Sequence, residues 1–318
     1  MSEHNRPLAV ALNGYGLSGP RGRQVLPLED VVHAVHAAER GGYEAVFVPE
    51  IAAREAFSTV VALARTTERV RLATGVVRLD RRDLGTTALA AATAEEVSGG
   101  RLILGVGSRW PIDATRTFLT DLRRLLAGEA VETAGRPDRL DRPPENAVPI
   151  YLAALGPRMC ELAGEAADGV VLNWCTPERV ARAREEIAAG ARRSGRDPGA
   201  VRIAVYVRCS VEPEDHTVAA LREAAAQYAA IPTYRRQFDA MGLGSEADAA
   251  ARGPAQVPDR LLRAVCAWGG RDEVTDRLEE YRRAGAGLVV VYPVPVLEAA
   301  SSILATVLGV APRPAAAA

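Results

Sequence analysis

The chain has 318 residues, 48% hydrophobic and 25% charged, enough to bury a large core in a globular protein. Its 39 basic and 40 acidic residues are interspersed and leave a formal net charge of −1, which excludes the strongly basic surface that nucleic acid demands. No run approaches the ~18 consecutive apolar residues of a membrane span, the four cysteines form no C-x-x-C pair, and the amino terminus lacks a secretory pattern, so a reducing cytoplasm is expected.

Leu8 to Asn13 is a short apolar run halted by Gly14 and Gly16. A long loop through Gly19, Pro20 and Gly22 leads to a helix in which Leu28, Val31, Val32 and Val35 recur at helical spacing. Gly41-Gly42 ends it, and Tyr43 to Val48 is the second strand, with Pro49-Glu50 at its carboxyl end. A helix from Glu55 to Thr67 precedes the third strand, Val70 to Val76. A small-residue helix from Leu84 to Ser98, closed by Gly99-Gly100, precedes the fourth, Leu102 to Val106. Asp113 to Leu126 has a helical pattern with Phe118, Leu122, Leu125 and Leu126 on one side. Gly128 to Val148, which carries Pro137, Pro143 and Pro144, reads as an excursion.

Ile150 to Ala153 is a fifth strand, Gly156-Pro157 opens a helix to Ala167, and Gly169 to Asn173 is a sixth strand. Thr176-Pro177-Glu178 starts a helix to Arg193 by the N-cap and first-turn proline rule, and Val201 to Cys209 is a seventh strand. Glu212 to Gly270, broken by Pro232, Gly242, Gly244, Gly253 and Pro254, is expected to form several helices. Asp272 to Ala284 is helical, Gly287 to Tyr292 is an eighth strand, and a last helix runs from Val296 to Leu308.

Eight short, nearly continuous apolar strands, each followed by a helix, fit a parallel (β/α)8 barrel in which every strand is buried on both faces. The barrel carries a short excursion after strand 4 and a helical insertion after strand 7, in a single domain over residues 1–318. A doubly wound open sheet is the alternative. Gly14-Tyr15-Gly16-Leu17-Ser18-Gly19 matches the dinucleotide-binding G-x-G-x-x-G spacing, but Pro20 and Gly22 prevent the immediate helix that would receive a pyrophosphate.

Active sites of such barrels lie at the carboxyl ends of the strands. There stand Asn13, Glu50, Gly75-Val76, Gly107-Ser108-Arg109, Ala154-Leu155-Gly156, Asn173-Trp174, Ser210 and Tyr292-Pro293. Strands three and four end in Gly75 and Gly107, where a ligand approaching the backbone would need glycine. The histidines, His4, His33, His36 and His216, are not at strand ends, so no metal site is expected. The sequence contains no lysine, which excludes a Schiff-base aldolase, and Glu50 alone stands squarely at a strand terminus, short of the two carboxylates of a glycosidase. A mouth of small residues and amides suits a large cofactor that carries the reactivity itself. In Ala153-Ala154-Leu155-Gly156-Pro157-Arg158 a strand turns straight into a helix; glycine, the free amides and Arg158 suit a phosphate. The alternative is an ordinary turn with a surface arginine.

Several stretches, in this order, resemble the luciferase-like flavin and deazaflavin oxidoreductases, and more closely their coenzyme F-420-dependent branch. They are Gly42-Tyr43-Glu44-Ala45-Val46-Phe47-Val48-Pro49-Glu50, Leu72-Ala73-Thr74-Gly75-Val76, Gly100-Arg101-Leu102-Ile103-Leu104-Gly105-Val106-Gly107, Ile150-Tyr151-Leu152-Ala153-Ala154-Leu155-Gly156-Pro157, Ala166-Ala167-Asp168-Gly169-Val170 and Tyr281-Arg282-Arg283-Ala284-Gly285. The resemblance covers nearly the whole chain and implies a TIM barrel with the deazaflavin at its mouth and a non-prolyl cis peptide at Gly75-Val76. It further implies that Gly107-Ser108 borders the ribityl side of the ring and that Leu155-Gly156-Pro157-Arg158 takes the phosphate, with Asn13 and Ala154 completing the cofactor contacts.

Two departures bear on catalysis. Where many relatives have histidine after the acidic residue of the second strand, this chain has Ile51, and where sugar-acting relatives have a glutamate after the fourth strand it has Ser108-Arg109-Trp110. Glu50 is therefore the remaining acid or base candidate, unless it only hydrogen-bonds the cofactor ring or caps a helix. Arg109, Asn173 and Trp174 are substrate-binding candidates, with a surface role open for Arg109 and a plug at the barrel rim for Trp174. The implied function is hydride transfer between coenzyme F-420 and a small organic substrate in a homodimer; the alternatives are an FMN-dependent monooxygenase and a non-catalytic cofactor-binding barrel.

Overall fold

The computed structural model describes residues 7–12, 15–19, 22–52, 54–133, 135–211, 216–294 and 299–312. Eight parallel strands form the barrel: β1 (Leu8–Ala11), β2 (Ala45–Val48), β3 (Arg71–Thr74), β4 (Leu102–Gly107), β5 (Ile150–Ala153), β6 (Gly169–Asn173), β7 (Arg202–Val211) and β8 (Leu288–Pro293). Their hydrogen-bonded order is β5-β6-β7-β8-β1-β2-β3-β4, and a further pairing of β4 with β5 closes the ring, so the open-sheet alternative falls. The burial of the strands follows from composition. Every residue of β1 and β2 is buried, as is β7 after its first residue, and only a sheet covered on both faces accommodates such runs.

By contact density the chain divides into two compact units. One holds residues 1–44, 172–184 and 203–318; the other holds 45–171 and 185–202. In the second, α2 (Ala56–Ala64) follows β2, and α3 (Leu84–Ser98), α4 (Ile112–Leu126) and α5 (Pro157–Ala166) follow β3, β4 and β5. Register is fixed by direct strand partners: Phe47 lies opposite Ala73, Leu72 opposite Leu102, Ile150 opposite Leu104 and Tyr151 opposite Gly169. Arg101 braces the entry to β4, its guanidinium donating to the carbonyls of Ala64, Thr67 and Val70 and to the Thr67 hydroxyl. It also donates to the Ser98 carbonyl at the end of α3.

In the first unit β1 and β7 flank β8, with Ala9 opposite Val290 and Tyr206 also opposite Val290. Helix α1 (Leu28–Arg40) packs on α12 (Ala299–Gly309). The insertion after β7 is α7 (Thr217–Ala229), α8 (Pro232–Ala240), α9 (Gly244–Ala251) and α10 (Asp259–Val265), followed by α11 (Arg271–Arg283) after a short strand. The helices have an apolar core of their own, built on Leu221, Phe238, Ala247, Leu261 and Trp174.

Three features differ from the sequence reading. The loop expected after β1 holds an antiparallel pair, Tyr15–Gly19 with Gly22–Val25, because its glycines punctuate a hairpin rather than an irregular run. The excursion after α4 contains a second small hairpin, Val131–Thr133 with Arg136–Asp138. The region read as helices only also contains the strand Cys266–Gly269, which pairs with β7 from Arg208 to Val211. Pairing along β7 carries that strand to Val211, two residues past the expected end.

All four cysteines are free and buried. Burial pushes the Cys175 and Cys266 thiols up to about 12, which removes them from thiolate chemistry at neutral pH. Among the described residues no helix is long and apolar enough to cross a membrane.

Candidate functional site

The first group of candidate site residues lies where β3 ends against β4. Gly75–Val76 is a cis peptide, as the resemblance implies. The Gly75 N–H donates to the Val48 carbonyl at 2.7 Å, and the Thr74 hydroxyl donates to the Gly105 carbonyl at 2.7 Å. A Cβ on Gly105 would stand 2.0 Å from the Thr74 carbonyl oxygen, and one on Gly107 would stand 2.7 Å from Val76 Cγ2. Glycine at Gly105 is thus demanded by the backbone packed against it, and at Gly107 a side chain would displace Val76.

Ser108 follows Gly107 and turns the chain into α4: its hydroxyl lies 2.7 Å from that of buried Thr115 and accepts from the Trp110 N–H at 3.0 Å. Arg109 beside it is exposed, and Trp110 packs on Phe118 with ring centroids 5.5 Å apart.

Glu50, at the carboxyl end of β2, is a paired carboxylate. Oε2 accepts from the Arg78 backbone N–H at 3.1 Å, and Oε1 accepts from Arg82 Nε at 3.0 Å and from Arg82 Nη2. Arg82 also pairs with Glu55, the N-cap of α2, whose carboxylate accepts from the Phe57 and Ser58 N–H groups. Burial alone would raise the Glu55 pKa, but the hydrogen bonds from Ser58 and Phe57, with Arg82, hold it below the usual range. Glu50, Glu55 and Arg82 line an open cleft of about 440 Å³ together with Ile51, Arg54, Arg81, Asp83 and Thr86. Glu50→Gln keeps one acceptor but removes the charge opposing Arg82, both side chains being only 15% exposed. The expected loss is about 1–3 kcal/mol of stability, read from the midpoint of urea unfolding.

At the fifth strand, buried Ala154 donates its N–H to the Val171 carbonyl at 3.1 Å, Leu155 is half-buried, and Gly156, Pro157 and Arg158 are exposed. Gly156 is the N-cap of α5, with Pro157 in the first turn. Its backbone is extended (φ −97°), and a Cβ there would meet nothing within 4 Å. The contrast with Gly105 is chemical: one glycine is filled around, the other faces open space at a helix amino terminus, where unpaired amides and the dipole favour an anion.

A second cluster lies wholly within the other unit, at the carboxyl ends of β6, β7 and β8. Asn173 is half-buried; its Nδ2 donates to the Tyr234 hydroxyl at 2.8 Å and its Oδ1 accepts from Arg208 Nη1. Trp174 adopts a left-handed backbone (φ 51°), held by Gln237, whose Nε2 donates to the carbonyls of Asn173 at 2.8 Å and of Trp174 at 2.6 Å. The indole is fully buried and packs into the apolar cluster of the insertion.

Arg208 is the residue that the sequence reading missed. Its guanidinium carbon lies 4.2 Å from the centre of the Trp174 ring, 4.5 Å from that of Tyr292 and 5.0 Å from that of Tyr228. The signal was present as a charge inside the otherwise apolar run Ile203-Ala204-Val205-Tyr206-Val207-Arg208-Cys209. Burial, then repulsion from Tyr228, raises the pKa of Tyr234, which stays a neutral donor. Of the predicted site residues, Gly75, Val76, Gly107, Ser108, Arg109, Ala154 to Arg158 and Glu50 fall in one unit and Asn173 and Trp174 in the other, while Asn13 lies outside the described residues. No group of three or more His, Cys, Asp or Glu capable of holding a metal occurs among the described residues.

A family model described as luciferase-like monooxygenase matches residues 12–287. A 5,10-methylenetetrahydromethanopterin reductase of Methanolobus tindarius is 34% identical over 206 residues, which cover 59% of this chain and 63% of that protein, just under two thirds of its length. A putative coenzyme F-420-dependent oxidoreductase of Mycobacterium tuberculosis is 28% identical over 201 residues, 53% of this chain and 58% of that one. The solved coenzyme F-420-dependent tetrahydromethanopterin reductase of Methanopyrus kandleri superposes with a TM-score of 0.75 over 96% of this chain and 97% of its own, at 20% identity.

Proposed function

Because the chain belongs to the luciferase-like monooxygenase family, we propose that it is an oxidoreductase that uses coenzyme F-420 to exchange hydride with a small organic substrate. Residues 1–318 would act as one barrel domain. The observation that carries the cofactor reading is Gly156: a glycine that nothing in the protein requires, open to a radius of 4 Å, at the amino end of a helix and next to Arg158. A phosphodiester fits that cradle, with the α5 amides and Arg158 as its donors.

When bound, the deazaflavin supplies a hydride-carrying ring. This chain's residues do the rest. Gly75, Val76 and Gly107 give a wall of backbone and one aliphatic side chain, with no charged group to compete for the ring; Ser108, fixed by Thr115, borders it; Ala154 and Leu155 lead from the wall to the phosphate turn. Glu50, with both oxygens engaged by Arg82 and Arg78, suits orientation better than proton transfer: it fixes the Arg82 guanidinium, which lines the cleft.

Titration of the purified protein with coenzyme F-420 is expected to perturb the cofactor's visible absorption with saturation, and FMN is expected not to. The reverse result would favour the FMN monooxygenase. Saturable deazaflavin binding without oxidation or reduction of any substrate offered would favour a binding barrel, and silence from both cofactors would remove the enzyme reading.

A further inference from the structure

We propose that Arg208 anchors a substrate pocket that takes the carboxylate of a small organic acid with a planar or apolar body. The proposal rests on the reading of the chain as an oxidoreductase of small organic substrates and names their chemical class.

The argument is a count of donors and acceptors. Arg208 is 4% exposed, yet among the described residues no carboxylate pairs with it, and its one hydrogen bond goes to Asn173 Oδ1. A buried guanidinium carries five N–H donors and a full charge, and leaving such a charge without a counter-ion costs several kcal/mol. Three aromatic faces within 5.0 Å offset part of that cost and none of the donor excess. Two more donors stand in the same cluster. Trp174 Nε1 is buried without an acceptor, and the Tyr234 hydroxyl accepts from Asn173 while no described residue accepts its own hydrogen. The side-chain oxygen of Asn173, the amide acceptor here, is already taken.

What this cluster lacks is therefore an acceptor carrying negative charge. One cation suits a monoanion, and a planar guanidinium suits the planar fork of a carboxylate. Around the buried Arg208 and Trp174, Asn173, Tyr228, Tyr234 and Tyr292 are each partly exposed, so the cluster borders the surface. Ring faces at that border would receive the body of the acid.

The test uses the full chain without cofactor and isothermal titration with benzoate, acetate and the neutral isostere benzyl alcohol. Benzoate is expected to bind saturably and at least about tenfold more tightly than benzyl alcohol, as a charge-assisted hydrogen bond requires. Arg208→Met should erase that preference, Arg208→Lys should restore part of it, and Tyr234→Phe should weaken benzoate severalfold while leaving benzyl alcohol unchanged. Should Arg208→Met fail to fold, the wild-type comparison and Tyr234→Phe decide. Equal affinity for benzoate and benzyl alcohol, or no saturable binding of either carboxylate, would overturn the proposal and leave a carboxylate of the chain itself as the counter-ion. Deazaflavin titration on the same preparation separates the two readings: cofactor binding without carboxylate binding sinks only the pocket, and carboxylate binding without cofactor binding sinks only the cofactor.

Discussion

Gly105→Ala is expected to destabilise the protein by about 3 kcal/mol or more, lowering the thermal midpoint by the order of 5–10 °C. The added methyl would stand 2.0 Å from the Thr74 carbonyl oxygen, a backbone atom in an inner strand, so no flexible side chain can swing away to make room. Relief requires β3 and β4 to separate, which would also break the hydrogen bond from the Thr74 hydroxyl to the Gly105 carbonyl. That strand end is where Gly75 and Val76 form the proposed cofactor wall, so deazaflavin affinity should fall in the same variant. Calorimetry and the absorption titration check the two effects. A variant as stable as the wild type would show that the strands tolerate a wider spacing than their packing implies.

Gly156→Asp is expected to do the opposite: to leave the thermal midpoint within about 1–2 °C of wild type and to weaken coenzyme F-420 binding by about 100-fold. The position has an extended backbone open to any L-residue, nothing stands within 4 Å of the new Cβ, and aspartate is itself a good N-cap. The carboxylate would occupy the cradle proposed for the phosphate, take up the amides that would otherwise bind it and add a repelling charge beside it. Unchanged deazaflavin affinity in a stable Gly156→Asp protein would move the phosphate site elsewhere.

The eight strands were legible because each is a short, mostly apolar run, most of them set off by glycine or proline. Leu84–Ser98, Ile150–Ala153 and Gly169–Asn173 appear in the structure with the bounds expected. The hairpin after β1 was not, since Gly16, Gly19 and Gly22 read equally well as a loop and strand pairing there depends on a partner a few residues away rather than on periodicity. The strand Cys266–Gly269 was hidden for a related reason: four residues between two helices carry no period, and only β7 makes them a strand. The strand-to-helix turn at Gly156 and the glycines ending β3 and β4 could be read from local sequence as backbone features. Arg208 could not be assigned, because its meaning comes from Trp174, Tyr228 and Tyr292, three rings brought from distant parts of the chain. Likewise Glu50 looked like a free acid in sequence, whereas Arg82, 32 residues on, turns it into half of an ion pair.

The insertion after β7 has a consequence for how the proposed pocket varies. Helices α7 to α10 possess their own apolar core, and from them come Tyr228, Tyr234 and Gln237, which hold the Asn173-Trp174 segment and rim Arg208. The register of β1, β7 and β8 is set by strand pairing that involves none of these helices. Substitutions confined to the insertion would therefore reshape the proposed acid pocket around Arg208 while the pairing of β1, β7 and β8 stays as it is.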